Sequence, residues 1–72
     1  MSEHVYKSVE ITGSSPEGVT QAIDRAVAKA GQTLRHLDWF ELTSVRGQIV
    51  DGKVAHYQAT LKIGFRLEDQ DS

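Results

Sequence analysis

The sequence predicts an α+β domain in the order strand, helix, strand, strand, with one helix on one face of a three-stranded antiparallel sheet. Three patterns carry that reading. Residues Tyr57, Ala59, Leu61, Ile63, Phe65 and Leu67 alternate with His56, Gln58, Thr60, Lys62, Gly64 and Arg66, the period of a strand with one buried face. Val19, Ile23, Ala26, Val27, Ala30 and Leu34 recur at steps of three and four, the spacing of an amphipathic helix. Between the last two strand-like runs stands Asp51-Gly52, the pair favoured in a two-residue type I′ hairpin turn.

The first strand is read over residues 5–11, where Val5, Val9 and Ile11 share one side with the aliphatic stem of Lys7. The stretch TGSSPEG then has the chemistry of a helix start: a capping Ser15, a proline at the first helical position and Glu17 at the positive end of the dipole. A helix from Pro16 to Arg35 or His36 is expected, about 20 residues and ~30 Å long, weakened at Gly31 by about 1 kcal/mol relative to alanine. The second strand is WFELTSVRGQIV. The third, from Lys53 to Leu67, would extend roughly 50 Å if straight, against a radius of gyration of ~11 Å for a compact chain of this length. It must curve or project, and a projecting strand needs its edges covered by another chain. Residues 1–3 and 69–72 are expected to fray.

One domain is all that 72 residues allow, and such a domain buries only about 60% of its unfolded surface. With no cysteine, disulfides cannot supply the missing stability, and His4, His36 and His56 have no close metal-binding spacing. Oligomerisation is the remaining remedy. Eight basic and ten acidic residues leave a net charge of −2, so no global positive field draws nucleic acid. No apolar run reaches the ~20 residues of a membrane span or resembles a secretory leader, and a cytoplasmic location is expected.

The only tryptophan, Trp39, poses the functional question. Strict alternation puts Phe40 and Leu42 toward the helix and Trp39, Glu41, Thr43 and Val45 on the opposite, polar side. There an indole either anchors a subunit interface or stacks on a planar ligand. Gln58 occupies the same kind of face on the next strand, with one acceptor and two donors that match the edge of a heterocycle. Arg46, Lys62 and Arg66 offer forked or point-charge contacts to a phosphate or carboxylate, or else ordinary salt bridges. GSSP lacks the GxxxxGK(S/T) pattern of a phosphate loop, and no nucleophile and base stand at a catalytic spacing.

The segments DWFE, RG followed by DGKVAHYQ, and GFRLE, with the leading HVYKSVEITGSSPEG, resemble the dodecins, small flavin-binding proteins that assemble as hollow dodecamers. The resemblance runs from His4 to Glu68 and implies a sheet wrapped around one helix in each subunit. It also implies that Trp39 stacks on an isoalloxazine ring, with two flavins face to face between two tryptophans, and that Gln58 hydrogen-bonds the pyrimidine edge. Arg46 and its neighbours Val45, Gly47 and Gln48, together with Lys62 and Arg66, would meet the ribityl and phosphate groups. FMN is the implied flavin, with riboflavin second and coenzyme A as a possible further ligand. Many relatives carry histidine where this chain has Gln48.

A flavin covered on both faces has no room for a hydride donor, so the resemblance implies a non-enzymatic store that sequesters flavin and quenches its photochemistry. A small flavin reductase and an oligomeric shell without ligand are the rival readings. The reductase lacks a GxGxxG dinucleotide fingerprint.

Overall fold

The computed structural model describes residues 5–67 and has the expected order: β1 (Tyr6–Ser15), α1 (Val19–Gly31), β2 (Leu37–Val50) and β3 (Lys53–Arg66). The ends expected to fray, 1–3 and 69–72, lie outside the described residues. The three strands form one antiparallel sheet in which β3 is central, flanked by β1 and β2. Asp51 and Gly52 both have positive φ, 53° and 76°, as a type I′ turn requires.

Two boundaries differ from the sequence reading. β1 does not stop at Ile11; Gly13, Ser14 and Ser15 continue the ladder opposite Ala59, Gln58 and Tyr57. Ser15 is therefore a buried strand residue and not a helix cap. Its Oγ accepts the Glu17 backbone N–H at 3.0 Å, which fixes the turn through Pro16. The helix starts three residues later than expected, at Val19, with Gly18 as the cap residue.

It also ends early, after 13 residues and about 20 Å. The last helical residue is Gly31, where helix propensity drops, and the Gln32, Thr33 and Leu34 amides turn back onto the Lys29 and Ala30 carbonyls. His36 then adopts φ 61°, a left-handed conformation that reverses the chain into β2.

The core is small. Ala22, Ala26 and Ala30 of α1 pack on Ala59, Leu61 and Ile63 of β3, with Val9, Ile11, Ile23, Val27, Leu34 and Leu37 around them. A Cβ on Gly13 would collide with the Ala22 carbonyl oxygen and lie 2.9 Å from the Ala26 Cβ. The alanine stripe and Gly13 thus let helix and strand backbones approach directly. Of the predicted apolar face of β3, the middle three residues are buried, Tyr57 and Phe65 are half-buried, and Leu67 is exposed.

The helix covers β1 and β3, while β2 lies at the open edge. Phe40 and Leu42 face the helix side as expected, opposite Ile63 and Leu61, yet remain 49% and 41% exposed. At the far end the hairpin presents Ile49, Val50 and Val54 to solvent. The molecule measures 57 × 20 × 14 Å, with a radius of gyration of 15.2 Å against the ~11 Å of a compact chain. The long strands project, as their length implied.

Gly13→Ala forces helix and strand apart and is expected to lower stability by about 1–3 kcal/mol, read as a fall in the urea midpoint. An unchanged midpoint would show that the close approach is not needed.

Candidate functional site

The sheet face turned away from α1 carries most of the candidate residues, and three β-bulges decide which ones. Around the first, Leu37 pairs with Phe65 and Trp39 with Gly64, so Asp38 is the extra residue. Leu37 thereby joins the core while Trp39, two residues on, stands on the open face. Around the second, Leu42 pairs with Leu61 and Ser44 with Thr60, leaving Thr43 unopposed. The Thr43 hydroxyl donates to the Thr60 carbonyl at 3.0 Å and occupies the gap. The third lies between Gln48, opposite His56, and Ile49, opposite Val54.

The second bulge corrects the predicted alternation. Val45 pairs with Ala59 on the helix-facing side and does not share a face with Trp39. Arg46 comes to the open face instead, opposite Gln58, because an extra residue in one strand inverts every side chain beyond it.

Trp39 lies over Gly64. A Cβ built on Gly64 would fall within the indole, at its Cε2, Cζ2 and Nε1 atoms, so the absent side chain is what seats the ring. The indole stays 42% exposed. Six residues along β3, about 20 Å away, a concavity of about 430 Å³ is lined by Ser14, Arg46, Gly47, Gln48, His56 and Gln58. It gathers four predicted residues, Arg46, Gly47, Gln48 and Gln58. Gly47 contributes backbone only, and a Cβ there would meet the His56 carbonyl oxygen at 2.7 Å.

The remaining predicted cations do not join this pocket. Lys62 stands between Glu10 and Glu41, its register partners on either side, and is part of a charge ladder. Arg66 lies at the other end of β3, opposite Tyr6, where it lines a second concavity with His36, Leu37 and Asp38. There the Tyr6 phenol is raised above its ordinary value of 10.0, first by its hydrogen bond to the Asp38 carboxylate and then by desolvation and the Asp38 charge, with Arg66 opposing. Trp39 and Gln58, read from sequence as neighbours, are likewise apart within one protomer.

Two residues escaped the sequence reading. Ser14 falls in the TGSSPEG stretch read as a helix start, and Gly64 in the polar face of the third strand. The available signal was the position of Gly64 as the only residue without a side chain in the alternating set of β3. Among the described residues no group of three or more metal-ligating side chains occurs, and no helix is long and apolar enough to cross a membrane.

The family model for dodecin matches residues 5–68. The chain belongs to the dodecin family. A dodecin of Thermus thermophilus is 54% identical over 65 residues, covering 90% of this chain and 94% of that relative. The solved dodecin from Streptomyces coelicolor is 61% identical with a TM-score of 0.90, covering 97% of this chain and all of that one. The dodecin from Streptomyces davaonensis is 54% identical with a TM-score of 0.90, covering 94% and 100%. The strand-helix-strand-strand order and the single sheet are therefore those of solved dodecins.

Gly64→Ala is expected to lift the indole off the sheet, seen as a red shift and a more accessible Trp39 in emission and quenching experiments. Because Tyr6 is raised, its hydrogen bond to Asp38 contributes stability below about pH 10 and loses it as the pH climbs through the elevated folded-state value. The stability advantage of the wild type over Tyr6→Phe should accordingly shrink between about pH 9 and about pH 11 in urea titrations. A constant difference across that window would remove the hydrogen bond.

Proposed function

We propose that this chain binds flavin, FMN first and riboflavin second, and holds it as a store that buffers free flavin and suppresses its photochemistry. The observation that carries this reading is the seating of Trp39 on Gly64: a large, flat, half-exposed ring held against the sheet on a face otherwise polar. Seated in this way, the indole keeps a face available for offset stacking on a planar heterocycle. Membership of the dodecin family supports the same ligand class.

The distance between Trp39 and the Gln58 pocket shapes the rest. Roughly 20 Å of strand separates them, longer than the ring system of a flavin, so one ligand that meets both draws them from different copies of the chain. Assembly also covers the apolar side of β2, where Phe40, Leu42 and Val45 lie on the helix side of the sheet but stay exposed beyond the helix. A homo-oligomer, a dodecamer by the family resemblance, is thus part of the proposal. Gln58 supplies donors and an acceptor to the pyrimidine edge. Arg46 answers the phosphate, with Gly47 allowing the strands to close beside it. Arg66, near Tyr6 and Asp38, belongs to a separate region, and coenzyme A is the candidate ligand there.

In this arrangement the chain positions and covers the flavin rather than transforming it. Stacking on both faces excludes a hydride donor, and an indole in contact with the excited ring donates an electron and returns it, which quenches fluorescence. No proton transfer is assigned to any residue.

Trp39→Ala is expected to weaken FMN binding by at least about tenfold, as loss of one aromatic stacking partner does elsewhere, with the particle size by light scattering unchanged. Equal affinity in the variant would remove the stacking role. In the wild type, FMN fluorescence should be quenched on addition of protein, and NADH should leave the bound flavin oxidised. Rapid NADH-driven reduction would favour the reductase, and no quenching at all would favour a ligand-free shell.

A further inference from the structure

Near the start of β2, three residues face two of β3. Leu37 pairs with Phe65 and Glu41 with Lys62, so Asp38, Trp39 and Phe40 have only Gly64 and Ile63 opposite them. The register beyond either end is the same whichever of the three is left unpaired. With Phe40 as the extra residue, Asp38 would pair with Gly64 and Trp39 with the buried Ile63, which turns the indole to the helix side. An apolar concavity of about 140 Å³ lies there, with Val27 and Ile63 in its lining. Turning the indole in and Phe40 out exchanges one half-exposed aromatic ring for another, 42% against 49% exposed. Burial of apolar area therefore discriminates little between the two arrangements.

A side-chain bond across the sheet separates them. Tyr6, the first residue of β1, pairs with Arg66 on the open face, and its hydroxyl donates to the Asp38 carboxylate on the far side of β3. The bond spans two strand spacings, about 9.5 Å, close to the combined reach of the two side chains. Backbone bonds fix the row in which it lies: the Arg66 N–H donates to the His36 carbonyl at 3.1 Å, and the Leu67 N–H to the Val5 carbonyl at 2.9 Å. Tyr6 thus draws Asp38 toward Arg66. Moving Asp38 to the position opposite Gly64 carries it away by about the rise of one residue, ~3.3 Å, and opens the bond.

We infer that the Tyr6–Asp38 hydrogen bond selects Asp38 as the unpaired residue of the bulge, and that Tyr6 and Asp38 are positioning residues for Trp39, holding its indole on the open face over Gly64. They act through the backbone of the bulge and not by touching a ligand. The stacking of a flavin on Trp39 rests on the proposed function; the seating of the ring does not.

Trp39 is the only tryptophan, so fluorotryptophan labelling provides a single fluorine NMR reporter of its place. The ligand-free wild type is expected to show one dominant resonance. Tyr6→Phe removes one hydroxyl and should raise the ratio of unseated to seated ring about fivefold, the loss of one hydrogen bond, seen as a second resonance. Asp38→Ala should do the same, whereas Asp38→Asn keeps an oxygen that accepts from Tyr6 and should retain the wild-type spectrum. An unchanged spectrum in Tyr6→Phe overturns the inference, as does a second resonance in Asp38→Asn equal to that in Asp38→Ala. Saturating FMN should collapse the two resonances of Tyr6→Phe into one, because a ligand that stacks on the seated ring shifts the population toward it. Two resonances that persist with FMN bound overturn the assignment of the second to an unseated ring. If FMN binds neither the wild type nor the variant, the flavin reading fails, and a second resonance in ligand-free Tyr6→Phe still supports the seating role.

Discussion

The rest of this structure depends on a mismatch of length. The helix spans about 20 Å, while each 14-residue strand of the β2–β3 hairpin extends to about 46 Å. A helix that short, packed on β1 and β3, covers only part of β3 and leaves most of β2 beyond its reach. What it leaves uncovered, the apolar side of β2 and the hairpin tip, is surface that no other element among the described residues buries. The alanine stripe makes the mismatch tolerable by drawing the helix backbone onto Gly13, so that a modest number of side chains still forms a dry centre.

The same projecting sheet separates two kinds of chemistry on its open face. Near the start of β2 an indole is seated on a glycine; about 20 Å away a donor-lined concavity contains Arg46 and His56. Between them run the hydroxyl contact of Thr12 with Thr60, at 2.9 Å, and the Glu10, Lys62, Glu41 ladder, which tie the strands together with polar groups. Aromatic platform and polar pocket are thus held by one rigid ladder but are too far apart for a single ring to use both. This spacing, together with the uncovered side of β2, makes ligand binding and assembly parts of one problem.

Much of this was legible in the residues. The alternation of β3 identified its buried face, Asp51-Gly52 located the hairpin, and strand length announced a projecting molecule. The helix ends were misread because Ser15, Pro16 and Glu17 suit a helix start and a strand-ending turn equally well. Long-range pairing of Gly13, Ser14 and Ser15 with β3 decided between the two. At the other end Gly31 gave the right signal, but the apolar period continues to Leu34, which packs on the core without being helical.

Sequence by itself determined the element types, their order, the membership of Trp39 in a face opposite Phe40, and the resemblance that identified the family. Only the tertiary structure decided which other residues share that face. A period of two carries no information about a residue inserted opposite nothing, and Asp38 and Thr43 look in the sequence like ordinary strand positions. Left without register partners when the strands pair, they turn Leu37 inward, send Val45 to the helix side and bring Arg46 out beside Gln58 and His56. The composition of the site is thus a property of strand register, which is fixed by hydrogen bonds between residues far apart in the chain.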